Sequence, residues 1–167
     1  GFFCAIFAAL LGWKQIFAEH YRDLNAFLIH RPATRNQMFW AKAAAGIVVY
    51  LSATGFPLLC LAAWAQHPGH LAVPFEWQMA IPAFGLCGSG LVFYFAGMLT
   101  GLRQARWYVS RGLGLAAAAV VCLAVAMSSS LWQPVVAVGI ALVVLATAAW
   151  GAFETSGYFE GQPAPGK

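Results

Sequence analysis

The sequence predicts an all-α protein: a polytopic transmembrane helix bundle of five spans, the first of them truncated, with a short cytoplasmic amphipathic helix. Three observations carry that expectation. Of 167 residues, 62% are hydrophobic and only 8% charged, whereas a soluble domain runs roughly 45–50% apolar and about 25% charged. The apolar residues fall into uncharged runs near the ~20 residues that cross a ~30 Å hydrocarbon core. Lys and Arg gather in alternate connecting segments, the pattern that orients consecutive spans. Nine Lys and Arg against five Asp and Glu give a net charge of +4. That is too little charge to cover a soluble surface or to build the basic stripe of a nucleic-acid binder.

The first run, residues 1–17, is strongly apolar from Phe2 onward and passes Lys14, whose long stem can snorkel to the interface. It has neither a basic flank nor a small-residue cleavage site, so it does not read as a secretory signal. The expectation is a span that begins upstream of Gly1. The second run, 43–65, holds Gly55 and Pro57. A proline ring blocks a backbone hydrogen bond, so a kink is expected there. The third, 79–102, is rich in small residues, among them Gly85, Gly88, Ser89 and Gly90. Its Gly97-x-x-x-Gly101 pair has the spacing that lets helix backbones approach closely, within the chain in preference to a dimer seam. The fourth and fifth runs are 112–130 and 134–153. None of these runs alternates apolar and polar residues, so a β-barrel is excluded. The Gly/Pro-rich tail, 154–167, is expected to be disordered.

Orientation follows from charge. Residues Lys14, Arg22, Arg31, Arg35 and Lys42 lie between the first two spans, and Arg103, Arg106 and Arg111 between the third and fourth. The segments Gln66–Gln78 and Ser128–Pro134 contain no Lys or Arg. The 14–42 and 103–111 segments and the C-terminus are therefore expected on the cytoplasmic side of the cell membrane. Trp13, Trp40, Trp107, Tyr108 and Trp150 fall near that side, and Trp64, Trp77 and Trp132 near the other. Each of these rings serves either as an interfacial anchor or as plain packing.

The residue types that support catalysis or ligation are missing from the spans. His20, His30, His67 and His70 all fall in connecting segments, so facing helices offer no haem ligands. Cys4, Cys60, Cys87 and Cys122 stand singly in apolar runs and read as buried small hydrophobes. No acidic or basic residue lies mid-span, which argues against ion-coupled transport and voltage sensing. Gly161-Gln-Pro-Ala-Pro-Gly-Lys167 matches the spacing of a phosphate loop, but it follows no strand, contains two prolines and lacks the Ser/Thr that meets magnesium. No catalytic constellation, metal site or cofactor is expected, and the chain is not expected to be an enzyme.

Half of the charges, seven of fourteen, lie in the segment from Lys14 to Lys42. Tyr21, Leu24, Phe27 and Leu28 recur at helical spacing opposite Glu19, Arg22, Asp23 and Asn25, which predicts a short amphipathic helix. Arg31 precedes Pro32 and is pushed out of the helical region, so that helix ends near Ile29 or His30. Thr34-x-x-Gln37 then forms a capping-box pattern, starting a helix that runs through Met38, Phe39 and Trp40 into the second span. Such a segment either lies on lipid or serves as a docking knob for a cytoplasmic protein.

The string Phe27-Leu-Ile-His-Arg-Pro-Ala-Thr-Arg35, followed by Phe39-Trp-Ala-Lys42 and small residues to Gly46, resembles the permease subunits of type-2 ABC exporters. In that family a leucine-rich helix, an Arg/Leu-Pro-x-Ser/Thr-Arg motif and a later Lys join the second and third of six spans. The resemblance implies a coupling helix at Asp23, Leu24, Phe27 and Leu28, its exit at Arg31, Pro32 and Arg35, and Lys42 at the start of the next span. It also implies a cytoplasmic ABC ATPase subunit and a second membrane subunit as partners, besides membrane lipids and with no nucleic acid. Removing one span from six leaves five that start outside and end inside, in agreement with the charge bias. The family often carries Glu-x-x-x-Gly-Thr-Leu-Glu ahead of the leucine-rich helix, where this chain has Glu19 and then Asp23-Leu24-Asn25. The functional expectation is the membrane-spanning permease of an ATP-driven export system. The alternative is a non-transporting multi-span scaffold whose basic loop binds lipid or protein.

Overall fold

One helix forms the axis around which the others are arranged. The computed structural model describes residues 2–20, 34–67, 75–102, 108–127 and 132–155, and these are almost wholly helical. In chain order the helices are α1 (Phe2–His20), α2 (Arg35–Tyr50), α3 (Phe56–Ala65), α4 (Ile81–Leu102), α5 (Tyr108–Met127) and α6 (Trp132–Thr155). A π-helical turn, Leu51–Gly55, joins α2 to α3, and a 3-10 turn, Trp77–Ala80, leads into α4. The axis is α4. It packs most extensively against α1 and then against α5 and α6, and it is buried almost continuously from Ser89 to Leu102.

Three helical stretches are long and apolar enough to cross a membrane: Asn36–Ala65, Trp77–Leu102 and Trp132–Glu154. Two shorter apolar stretches, Phe2–Phe17 and Gly112–Met127, accompany them. The all-helical fold is consistent with a membrane protein. So is its surface, where Phe3, Val48, Phe56, Leu61, Val120, Leu123, Val135 and Ile140 all point outward. Without water to satisfy it, backbone in a bilayer must close its own hydrogen bonds, and helices do so within one segment.

Local sequence accounts for the boundaries. The hydroxyl of Thr34 accepts from the Gln37 backbone N–H (3.3 Å), and the Gln37 side chain accepts from the Thr34 N–H (3.2 Å). This reciprocal box starts α2 and satisfies two donors that the first turn leaves orphaned. From there α2 runs without a break into the apolar stretch. Just ahead of Pro57, where a kink is expected, the helix widens into the π-helical turn. Proline supplies no N–H and crowds the preceding turn, and the widened turn absorbs the mismatch. The Thr54 hydroxyl donates to the Tyr50 carbonyl across that turn (2.8 Å), a side-chain bond of the kind that bends helices.

The cysteines are less buried than expected. Cys4, Cys87 and Cys122 are half-buried, but Cys60 is exposed. It lies on α3, where Ala62 is the only buried residue. The other side chains of that helix are half-buried or exposed among the described residues, so an apolar side chain there meets the surroundings.

Candidate functional site

The basic segment 14–42 is where the sequence concentrates its charge, and the structure describes its two feet. Asp23, Leu24, Phe27, Leu28, Arg31 and Pro32 lie outside the described residues, as does the amphipathic helix expected there. Arg35 is the first residue of α2. Lys42 lies about two turns after the cap, half-buried at the meeting of α1, α2 and α6.

The feet are tied to each other. The Gln15 side-chain amide donates to the Lys42 backbone carbonyl (2.8 Å), joining residues 27 apart in sequence. They are also tied to the axis, because the Tyr94 hydroxyl donates to Gln15 Oε1 (2.8 Å). Tyr94 is fully buried on α4. Gln15 therefore bridges α1, α2 and α4 with its two ends, one as donor and one as acceptor, so neither buried dipole is left unmet. Lys42 completes the junction. Its ammonium stands 5.5 Å from the centroid of the Phe153 ring, a cation–π geometry. Phe39, fully buried, packs on the same ring with centroids 5.5 Å apart.

Close backbone packing underlies this junction. A Cβ at Gly97 would overlap the Ala9 carbonyl, and one at Gly12 would overlap the Tyr94 carbonyl. The backbones of α1 and α4 are thus in direct contact, and Gly101 faces Ile16 and Trp13 one turn on. The pair Gly97 and Gly101 packs against α1 of the same chain. Gly46 leaves the space filled by the Tyr94 hydroxyl and the Gln15 amide. Sequence reasoning singled out Gly97 and Gly101 but missed Gly12, Gln15 and Tyr94. The available signal was Ala8-x-x-x-Gly12 in α1, a small-residue pair with the same spacing as the glycine pair that it faces.

A second polar contact lies further along the same helices. The Tyr50 hydroxyl, also fully buried, donates to the Cys87 carbonyl (2.8 Å), and Thr54 Oγ1 lies 3.6 Å from Cys87 Sγ. It fastens the end of α2 to α4 immediately before the π-helical turn. The helix is therefore held to the axis as far as Thr54, within the π-helical turn.

Among the described residues no group of three or more His, Cys, Asp or Glu is arranged to hold a metal ion. Chemically the site is a mechanical junction: amide, hydroxyl and carbonyl dipoles, one ammonium and two aromatic rings, with no nucleophile aligned to a base. Compared with known proteins, the chain matches no family model, no curated protein and no solved structure.

Proposed function

We propose that the chain is the membrane-spanning permease subunit of an ATP-binding-cassette export system, working with a separate cytoplasmic ATPase and a second membrane subunit. In this reading all five apolar helices cross the cell membrane, since even the shorter α1 has 19 residues and about 28 Å of length. The basic segments 14–42 and 103–111 and the C-terminus face the cytoplasm, as the positive-inside rule requires. The segment between Gln15 and Lys42 receives the ATPase.

The observation that supports the reading is the clamp at the feet of that segment. A coupling element must pass displacement into the membrane without losing it in slack. Here the two ends are hydrogen-bonded to each other through Gln15 and to the buried Tyr94 of the central helix. Motion of the segment would be delivered to α4 and, through the α1 contact at Gly12 and Gly97, to α1 as one body. A chain that only scaffolded others would have no need to join a cytoplasmic loop to its most buried helix.

The test is purification of the full-length protein from its native membrane in detergent, followed by mass spectrometry and an ATP-hydrolysis assay. An ABC ATPase is expected to accompany it. The Leu28→Asp variant is expected to insert normally and to lose that ATPase or its stimulated hydrolysis. An ATPase-free complex would favour the scaffold reading, and an ATPase retained and coupled in Leu28→Asp would show the docking helix to be misassigned.

A further inference from the structure

At the end of the bundle remote from the basic segments, α4, α5 and α6 diverge around a cavity of about 710 Å³. Its walls run from Ile81 to Gly88 on α4, over Val125 and Ala126 on α5, and from Pro134 to Leu142 on α6. Every one of these residues is apolar. The space exists because three of them carry no side chain: a Cβ at Gly85 or Gly88 would make only an ordinary contact with Val125 or Val138, and one at Gly139 would meet nothing within 4 Å. One side is open, since Pro82, Ala126, Val135 and Gly139 are exposed. Leu123 and Met127 on α5 and Val136 and Ile140 on α6, neighbours in sequence of the lining residues, are exposed as well.

We infer that this cavity is a binding site for the acyl tail of a membrane phospholipid, admitted sideways from the bilayer. Length, volume and polarity each support it. The wall on α6 spans eight helical rises, about 12 Å, which is most of a single leaflet of about 15 Å. A methylene takes up roughly the ~30 Å³ of one water molecule, so a tail of about 16 carbons fits within the cavity. Water is not a suitable occupant, because it needs two or more polar partners and apolar cavities stay dry. Trp77 and Trp132 stand exposed at the outer ends of α4 and α6, where indole rings mark the level of the headgroups.

The inference does not depend on the exporter reading, and its test involves no ATPase. Full-length protein in phosphatidylcholine nanodiscs is irradiated with a phosphatidylcholine whose tail carries a diazirine, and the labelled peptides are mapped. Label is expected to concentrate on residues 81–88 and 134–142, above the level on the exposed face of α1. Gly88→Leu and Gly139→Phe, which fill the cavity from two sides, are each expected to abolish that excess while leaving the α1 label intact. Gly112→Phe, placed where a Cβ meets nothing and far along α5 from the cavity, is expected to retain it and so controls for folding. Equal labelling of cavity and α1 peptides would overturn the inference, as would an excess that survives both filling variants. So would protein–protein crosslinks between two copies from diazirine residues placed at 135 or 139.

Discussion

The two ends of the bundle are built on opposite principles. At the end of the basic segments, α1 and α4 touch backbone to backbone at Gly12 and Gly97, and Gln15, Lys42 and Tyr94 close a three-helix clamp. At the other end, α3 keeps only Ala62 buried, and α4, α5 and α6 part around an apolar cavity. In a bilayer apolar burial contributes little, because lipid tails are as apolar as leucine. Association then depends on close packing and interhelical hydrogen bonds. At the end of the basic segments the backbones themselves meet, at Gly12 and Gly97, whereas toward the cavity the contacts are made by side chains, Tyr50 with Cys87 and Ser89 with Cys122. The π-helical turn at Leu51–Gly55 sits where one regime gives way to the other, between Tyr50, which is bonded to α4, and α3, where Ala62 is the buried residue. A machine driven from the cytoplasm would gain from this distribution, because displacement enters where the helices move together and is expressed where they can separate.

The largest test of that contrast is a leucine at each end. Gly97→Leu drives a side chain into the Ala9 carbonyl, which cannot yield as a flexible side chain would. Overpacking of a close-packed site costs about 1–3 kcal/mol and sometimes more, and a backbone contact belongs at the upper limit. The same change at Gly139 meets nothing within 4 Å and is expected to stay within about 0.5 kcal/mol. Unfolding in detergent micelles, followed by loss of helical circular dichroism, measures both. Equal losses at the two positions would remove the distinction between a packed end and an open one.

A smaller effect is expected from Tyr94→Phe, which keeps the ring and removes the donor to Gln15. Interhelical hydrogen bonds in membranes average about 0.6 kcal/mol, and an acceptor left buried and unmet adds about 1–3 kcal/mol. A loss of about 1–2 kcal/mol is expected in the same unfolding measurement. Gln15→Met removes the group that would be left unmet, so the double variant should be less destabilised than the two single losses combined. Strict additivity would mean that the two residues do not act on each other and that Gln15 does not tie the feet of the segment to α4.

How much of this was legible in the sequence follows from the range over which each signal acts. The apolar stretches could be read because hydrophobic length is a local property, and Thr34 with Gln37 because a cap is decided within four residues. Gly97 and Gly101 could be read as a close-approach surface, although the helix they would meet could not. That depends on how α1 and α4 are rotated about their axes. The Tyr94–Gln15 bond joins residues 79 apart, and no local pattern distinguishes a buried tyrosine with a partner from an interfacial one. The exposure of Cys60 and the cavity beside Gly88 and Gly139 arise from the splay of whole helices, which depends on every contact at the opposite end.

The smallest expected effect probes the tight end from its one imperfection. The indole N–H of Trp150 is buried with no acceptor among the described residues, at the level where Phe39, Lys42 and Phe153 meet. A buried donor left unmet costs about 1–3 kcal/mol, and Trp150→Phe relieves that cost. It also removes ring atoms, and the lost packing acts in the opposite direction. The two contributions nearly cancel, and a change within about 0.5 kcal/mol is expected. The measurement becomes sharper when repeated in nanodiscs and in micelles. If the variant is neutral in both, the tight end is complete as described and its stiffness comes from Gly12, Gly97, Gln15 and Tyr94. If it loses more than about 1 kcal/mol in either, the packing of the indole outweighs its unmet donor, and Trp150 belongs to the tight end with Gly12, Gly97, Gln15 and Tyr94.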